Sequence, residues 1–216
     1  PFSVEAKDLA DAISGIRAFG IKGSGVSMPH KVAVMQYLDK IDPAAHRVGA
    51  VNTIVNDNGV LTGYNTDYEG AKRALREMYD MQGKSALIIG AGGAARAVVG
   101  ALKDSGAKTI WLTNRNEQKG KDLAKEFSIL YQPFAEKSAL RADLLVNATP
   151  VGMPPNIREI IIDTPALVHY DVAMDVVVSA ESTALVEAMQ EAGKAVIPGF
   201  RLALHQGIVQ FELYTG

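Results

Sequence analysis

Two side chains and one loop in this sequence have the types and spacing to do chemistry. Lys31 follows Met28-Pro29-His30 and Asp67 follows Gly63-Tyr64-Asn65-Thr66. Reducing a carbonyl with hydride requires a proton donor beside the oxygen, and a lysine held by a carboxylate can store, orient and relay that proton. The spacing predicts a helix over residues 30–39 with Lys31 in its first turn, where the helix dipole opposes a second positive charge. A site that breaks a local rule in this way is a candidate for function. Asp67 has an ordinary explanation as an acid near a helix start, so its interest lies in pairing. The loop is Gly90-Ala91-Gly92-Gly93-Ala94-Ala95, which matches G-x-G-x-x-G/A directly after an apolar run. Without side chains the backbone can turn tightly and approach a pyrophosphate, which then rests on the free N–H groups of the following helix.

The next strand end indicates which dinucleotide fits. Trp111-Leu112-Thr113 leads into Asn114-Arg115-Asn116, with Lys119 one turn further on, and no Asp or Glu stands where an NAD site usually places one for the ribose 2′-hydroxyl. A guanidinium attracts a 2′-phosphate that a carboxylate would repel. NADP is the expected cofactor. The four histidines, His30, His46, His169 and His205, lack metal-ligand spacing, and no metal site is expected.

These groups need elements to hold them. Apolar residues at 9, 12, 13, 16 and 19 give a helix that Gly20 ends. Val51–Val55 and Val60–Tyr64 flank Asn56-Asp57-Asn58-Gly59, a hairpin signal. Thr66 with Glu69 reads as a capping box that opens a helix through Tyr79. From residue 84 onward strands and helices alternate: strands at 84–90, 109–113, 143–147, 169–178 and 194–197, and helices at 93–105, 117–127 and 182–192. That order means a doubly wound parallel sheet, and the texture changes between residues 67 and 84. Trp111, in an apolar strand, reads as core, and Gln206 on its own as an ordinary helix residue.

Composition excludes several classes. The chain has 216 residues, no cysteine and a formal net charge of −2, with 48% hydrophobic residues. Without thiols there is no disulfide framework, zinc ribbon or iron–sulfur ligation. A balanced charge argues against a nucleic-acid partner, and Ser85–Leu102, the most apolar stretch, carries Arg96 and glycines unlike a membrane span. A cytoplasmic protein acting on a small molecule, as monomer or homodimer, is expected.

Seven segments in one order resemble the shikimate/quinate dehydrogenase family: Gly25–Lys31, Gly49–Thr53, Gly63–Asp67, Gly90–Ala97, Asn114-Arg115, Asn147–Met153 and Gln206. The resemblance implies a Rossmann-type α/β fold with a smaller α/β substrate domain, residues 1–67 with 203–216 forming the latter and 68–202 the NADP-binding domain. It implies NADP-dependent interconversion of 3-dehydroshikimate and shikimate, or of a close acid such as quinate, or else a sensor that kept the fold without turnover. Lys31 and Asp67 match the family's catalytic pair, and Ser27, Asn52 and Gln206 its substrate hydroxyl ligands. Gly90, Ala91, Gly92, Gly93 and Ala94 match the pyrophosphate loop; Asn114, Arg115 and Lys119 the adenosine-phosphate clamp; Thr149, Met153 and Gly199 positions beside the cofactor. The comparison also implies a chain that starts after the family's first strand, with its serine pair for the substrate carboxylate, and stops before its closing helices. Four positions depart from the pattern: Val178 in place of a common tyrosine, Ala184 after Thr183 in place of a usual proline, and Arg201 with Leu202 in place of Gly-Met, which would put a cation near the hydride path.

Overall fold

The computed structural model describes residues 2–179 and 182–216. The elements run α1 (Leu9–Ala18), β1 (Gly23–Gly25), β2 (Lys40–Ile41), α2 (Pro43–Val48), β3 (Thr53–Asp57), β4 (Val60–Tyr64), α3 (Thr66–Met78), β5 (Ser85–Ile89), α4 (Gly93–Asp104), β6 (Thr109–Thr113), α5 (Glu117–Glu126), β7 (Leu130–Tyr131), β8 (Leu144–Asn147), β9 (Val172–Asp175), α6 (Ala184–Glu191), β10 (Ala195–Ile197) and α7 (Gly199–Thr215), with short 3₁₀ turns between.

Two sheets result. The larger has the order β10-β9-β8-β5-β6-β7 with every pairing parallel. Its winding reverses between β5 and β8, which opens a crevice at the strand ends there. Alternate residues of its strands go to opposite faces: Ile88 joins a cluster with Val98, Leu102 and Leu112, while Leu87 and Ile89 join one with Leu167, Tyr170 and Met189. Burial on both faces explains why these strands read as continuous apolar runs. This is the Rossmann-type architecture expected from the alternation.

The smaller sheet has the order β1-β3-β4-β2, with β2 parallel to β4 and the other pairings antiparallel. The β3–β4 hairpin turns at Asn58 and Gly59, both with positive φ, and the Asn56 side chain accepts a hydrogen bond from the Gly59 N–H. Leu9, Ile13 and Ile16 of α1 pack with Val34, Val51, Ile54 and Leu61 to form its core.

Four local expectations differ from the structure. Residues 30–39 form no α-helix; a turn leads into a 3₁₀ helix at Ala33–Tyr37. The reason is that the Lys31 carbonyl accepts from the Val51 N–H at 2.7 Å, so it is committed to the chain segment before β3. The helix-dipole reason for singling out Lys31 therefore falls. The cap of α3 is Asn65, whose side chain accepts from the Tyr68 N–H, while Thr66 is already helical and Glu69 pairs with Arg73. The strand expected over 169–178 is only Val172–Asp175, preceded by a 3₁₀ turn. Trp111 is partly rather than fully buried. No helix among the described residues is long and apolar enough to cross a membrane.

Candidate active site

A cleft of about 530 Å³ lies between the two sheets. The loop after β1 contributes Ser27, Met28 and Lys31, the segment just before β3 contributes Asn52, and the first turn of α3 contributes Asp67. Opposite them stand Gly92, Gly93 and Ala94 at the start of α4, then Ala148, Thr149, Pro150 and Met153 after β8, and Val176–Val178 after β9. Leu202, Ala203, Gln206 and Gln210 of α7 close one end.

The Lys31 Nζ donates to Asp67 Oδ2 at 2.5 Å, and the two side chains retain only 17% and 12% of their exposure. Residues 36 apart in sequence thus form one ion pair on the cleft wall. Partial withdrawal from water strengthens such a pair and leaves the remaining ammonium protons for a ligand. The Lys31 stem packs on α4, and a Cβ at Gly93 would stand 3.0 Å from Lys31 Cδ. Glycine there serves close approach of the lysine as well as backbone access to a ligand.

Beside the pair is an uncharged network. Asn52 Oδ1 accepts from the Thr66 N–H at 2.7 Å, its Nδ2 donates to the Thr66 hydroxyl at 3.0 Å, and the Gln206 Oε1 lies 3.5 Å from the same nitrogen. The Thr53 hydroxyl donates to Asn52 Oδ1 at 2.9 Å, and Gln210 Nε2 donates to Thr53 Oγ1 at 2.9 Å. Fixed amides and hydroxyls of this kind match vicinal ring hydroxyls, which both donate and accept. Thr53, Thr66 and Gln210 were not among the sequence candidates. In sequence Thr66 has the context of a helix cap, and Gln210, one turn after Gln206, offers an i, i+4 pattern on one helix face.

The dinucleotide side fits its expected occupant. Gly92 is the N-cap of α4 and no side chain caps that terminus, so its N–H groups face the cleft. A Cβ at Gly92 would project into open space, whereas one at Gly90, with φ of +127°, would strike the Ala148 carbonyl. Gly90 is therefore a turn residue behind the loop, with Ala91 partly buried against the core. The Gly90 N–H donates to the Thr113 carbonyl at 2.9 Å, which sets the end of β6 beside the loop. From there Asn114 bonds the Asn116 carbonyl, and Arg115 and Lys119 lie exposed outside the cleft. The buried Thr113 hydroxyl has no hydrogen-bond partner among the described residues.

Two expectations are displaced. Gly199 lines a separate cavity of about 280 Å³ with Val177, Thr183 and Phe200, and a Cβ there would overlap the Val177 carbonyl, so glycine is required for packing. Arg201 turns away from the cleft to Glu77 at 3.0 Å, and His205 joins the same carboxylate at 2.9 Å. No cation from Arg201 stands in the hydride path. Val178 and Leu202 do line the cleft.

Residues 1–54 match the model of the shikimate dehydrogenase substrate-binding domain, and residues 71–154 the shikimate/quinate 5-dehydrogenase model. The chain belongs to the shikimate dehydrogenase family. It is 40% identical to shikimate dehydrogenase (NADP⁺) of Desulforamulus reducens, covering 100% of this chain and 79% of that one, and 42% identical to the enzyme of that name from a Geobacillus species, covering 100% and 80%. Among solved structures, the Thermus thermophilus shikimate 5-dehydrogenase in complex with NADP(H) and shikimate superposes with a TM-score of 0.84 at 32% identity, covering 99% of this chain and 80% of that one. The Listeria monocytogenes shikimate 5-dehydrogenase in complex with shikimate and NAD has the same TM-score at 36% identity, covering 99% and 80%.

Proposed function

We propose that this chain is an NADP-dependent shikimate dehydrogenase that interconverts 3-dehydroshikimate and shikimate in the cleft between the sheets. The observation that carries the reading is the Lys31–Asp67 pair, set beside a hydroxyl-binding network and facing a side-chain-free helix start. NADPH, when bound, supplies the hydride. Gly92, Gly93 and Ala94 offer backbone N–H groups to the pyrophosphate, Arg115 and Lys119 offer cations to the 2′-phosphate with Asn114 beside them, and Thr149 and Met153 border the cofactor space. Asn52 and Gln206, with Ser27 on the same wall as Asn52, hold the ring hydroxyls of the acid. The Lys31 ammonium donates its proton to the carbonyl oxygen as negative charge develops there, and Asp67 holds the ammonium in line and stabilises the cation. In oxidation the neutral amine takes the hydroxyl proton.

On this reading residues 1–67 and 203–216 form the substrate-binding unit and 68–202 the dinucleotide unit, with α3 spanning the join. The protein works in the cytoplasm, as monomer or homodimer. The test is NADP-dependent oxidation of shikimate, with quinate and related acids as comparisons. Lys31→Ala should lower kcat by about a hundredfold or more, as for loss of a general acid. Equal turnover in that variant would refute the mechanism, and tight NADPH binding without turnover of any acid by the wild type would favour a sensor.

A further inference from the structure

Asp175 closes β9, in register with Asn147 at the end of β8. Both side chains are 1% exposed, and neither lines the cleft. The Asp175 carboxylate nevertheless accepts from three directions: Asn147 Nδ2 at 3.0 Å, the Val177 N–H at 3.0 Å and the Thr183 hydroxyl at 2.6 Å. Asn147 extends the connection. Its Nδ2 also donates to the Val151 carbonyl at 2.9 Å, and its Oδ1 accepts from the Thr149 N–H at 3.1 Å and the Thr149 hydroxyl at 2.7 Å. One buried carboxylate is therefore tied to both loops that form the dinucleotide-facing wall: 148–153 through Asn147, and 176–178 through Val177. Thr183 is itself the N-cap of α6, so the same carboxylate also reaches that helix start.

Burial drives the Asp175 carboxyl above the ordinary carboxylate range, against the pull of its hydrogen bonds. An acidic group kept where desolvation opposes it needs a reason, and here its partners supply one, because an apolar residue would strand the Asn147 amide, the Val177 N–H and the Thr183 hydroxyl together.

We propose that Asp175 is a positioning residue for the cofactor: it couples the 148–153 and 176–179 loops into a single wall, so that dinucleotide affinity depends on a side chain that never touches the ligand. The proposal rests on the reading that the cleft takes NADPH. Its test uses the whole chain and two readouts independent of turnover, at a temperature where circular dichroism shows each variant folded. Fluorescence titration with NADPH should show Asp175→Ala weakened by roughly tenfold or more, the scale of a lost charge-assisted hydrogen bond. Asp175→Asn, which keeps one acceptor oxygen, should recover part of that loss, and Thr183→Val should fall between wild type and Asp175→Ala. Amide hydrogen exchange should accelerate in both loops together. NADPH affinity within twofold of wild type in Asp175→Ala, or in Thr183→Val should the first variant not fold, overturns the proposal, as does faster exchange confined to 176–179. Failure of the functional reading appears in the wild type itself, as absent NADPH binding or absent turnover, whereas failure of this proposal appears only in the variants.

Discussion

Lys31 illustrates how a residue can be singled out for one reason and placed by another. Its expected helix does not form, yet the ion pair with Asp67 puts it on the cleft wall, and the hydrogen bond from Val51 fixes its backbone there. Arg115 is the opposite case, an exposed side chain with no cleft contact whose proposed role rests on charge alone. Arg115→Ala should therefore raise the KM for NADPH by about tenfold or more while leaving that for NADH nearly unchanged, since only the former carries the 2′-phosphate. Steady-state kinetics with both cofactors checks this. Two aspartates outside the Lys31–Asp67 pair predict opposite pH behaviour. Asp143 accepts from the Ser85 hydroxyl at 2.5 Å and from the Ser85 N–H at 2.7 Å, and these bonds hold its carboxyl below the usual 3.8. Its contribution to stability is present above the unfolded-state value and is lost as pH falls through the folded one. Asp175 is raised by burial, so its contribution is largest below the unfolded value and erodes as pH rises through the folded one. In a series of Tm against pH, Asp143→Asn should be destabilised at neutral pH with the gap closing in acid, whereas Asp175→Asn should lose the decline that burial of its charge imposes on the wild type.

At the scale of elements, the packing of α3 on α7 decides whether the substrate-side residues meet. A Cβ on Gly70 would lie 2.8 Å from the Leu202 carbonyl and 2.9 Å from the Gln206 nitrogen, so the two backbones touch where Gln206 turns toward Asn52. Both neighbours are main chain and cannot yield by changing rotamer. Gly70→Ala should cost about 1–3 kcal/mol and weaken binding of the acid, whereas Gly207→Ala on α7, with no atom within 4 Å of the new Cβ, should be neutral or stabilising by up to about 1 kcal/mol. Chemical denaturation of the two variants separates them. The capping of α3 shows the same competition between local and tertiary demands. Thr66 has the residue type of a cap, but its hydroxyl sits among Asn52, Thr53 and Gln206, and Asn65 takes the cap instead.

For the whole molecule, the cleft depends on how the two sheets are held. Arg96 of α4 forms a forked pair with Glu126 at 2.6 and 2.7 Å and reaches the Val48 carbonyl at the end of α2 at 3.3 Å, which links the two sides behind the cleft. A ligand that contacts both sides stabilises the folded state by mass action. NADPH at about a hundred times its Kd should add roughly 2.7 kcal/mol and raise Tm by about 5–10 °C, with a smaller rise for NADH at the same concentration. Thermal shift with each cofactor measures this. The sequence by itself determined the large sheet, the glycine loop, the Asn58-Gly59 turn and the absence of an acid after β6, because each follows from a period or spacing within a few residues. It also carried the family's ordered motifs. Only the tertiary structure decided that Arg201 faces Glu77 rather than the cleft, that Gly199 answers to packing against Val177, and that Thr66, Gln210 and Asp175 belong to networks around the site. The physical reason is range: backbone propensity acts over one turn or one strand, while a hydrogen bond from Asn52 to Gln206 joins residues 154 apart, and no local pattern specifies its partner.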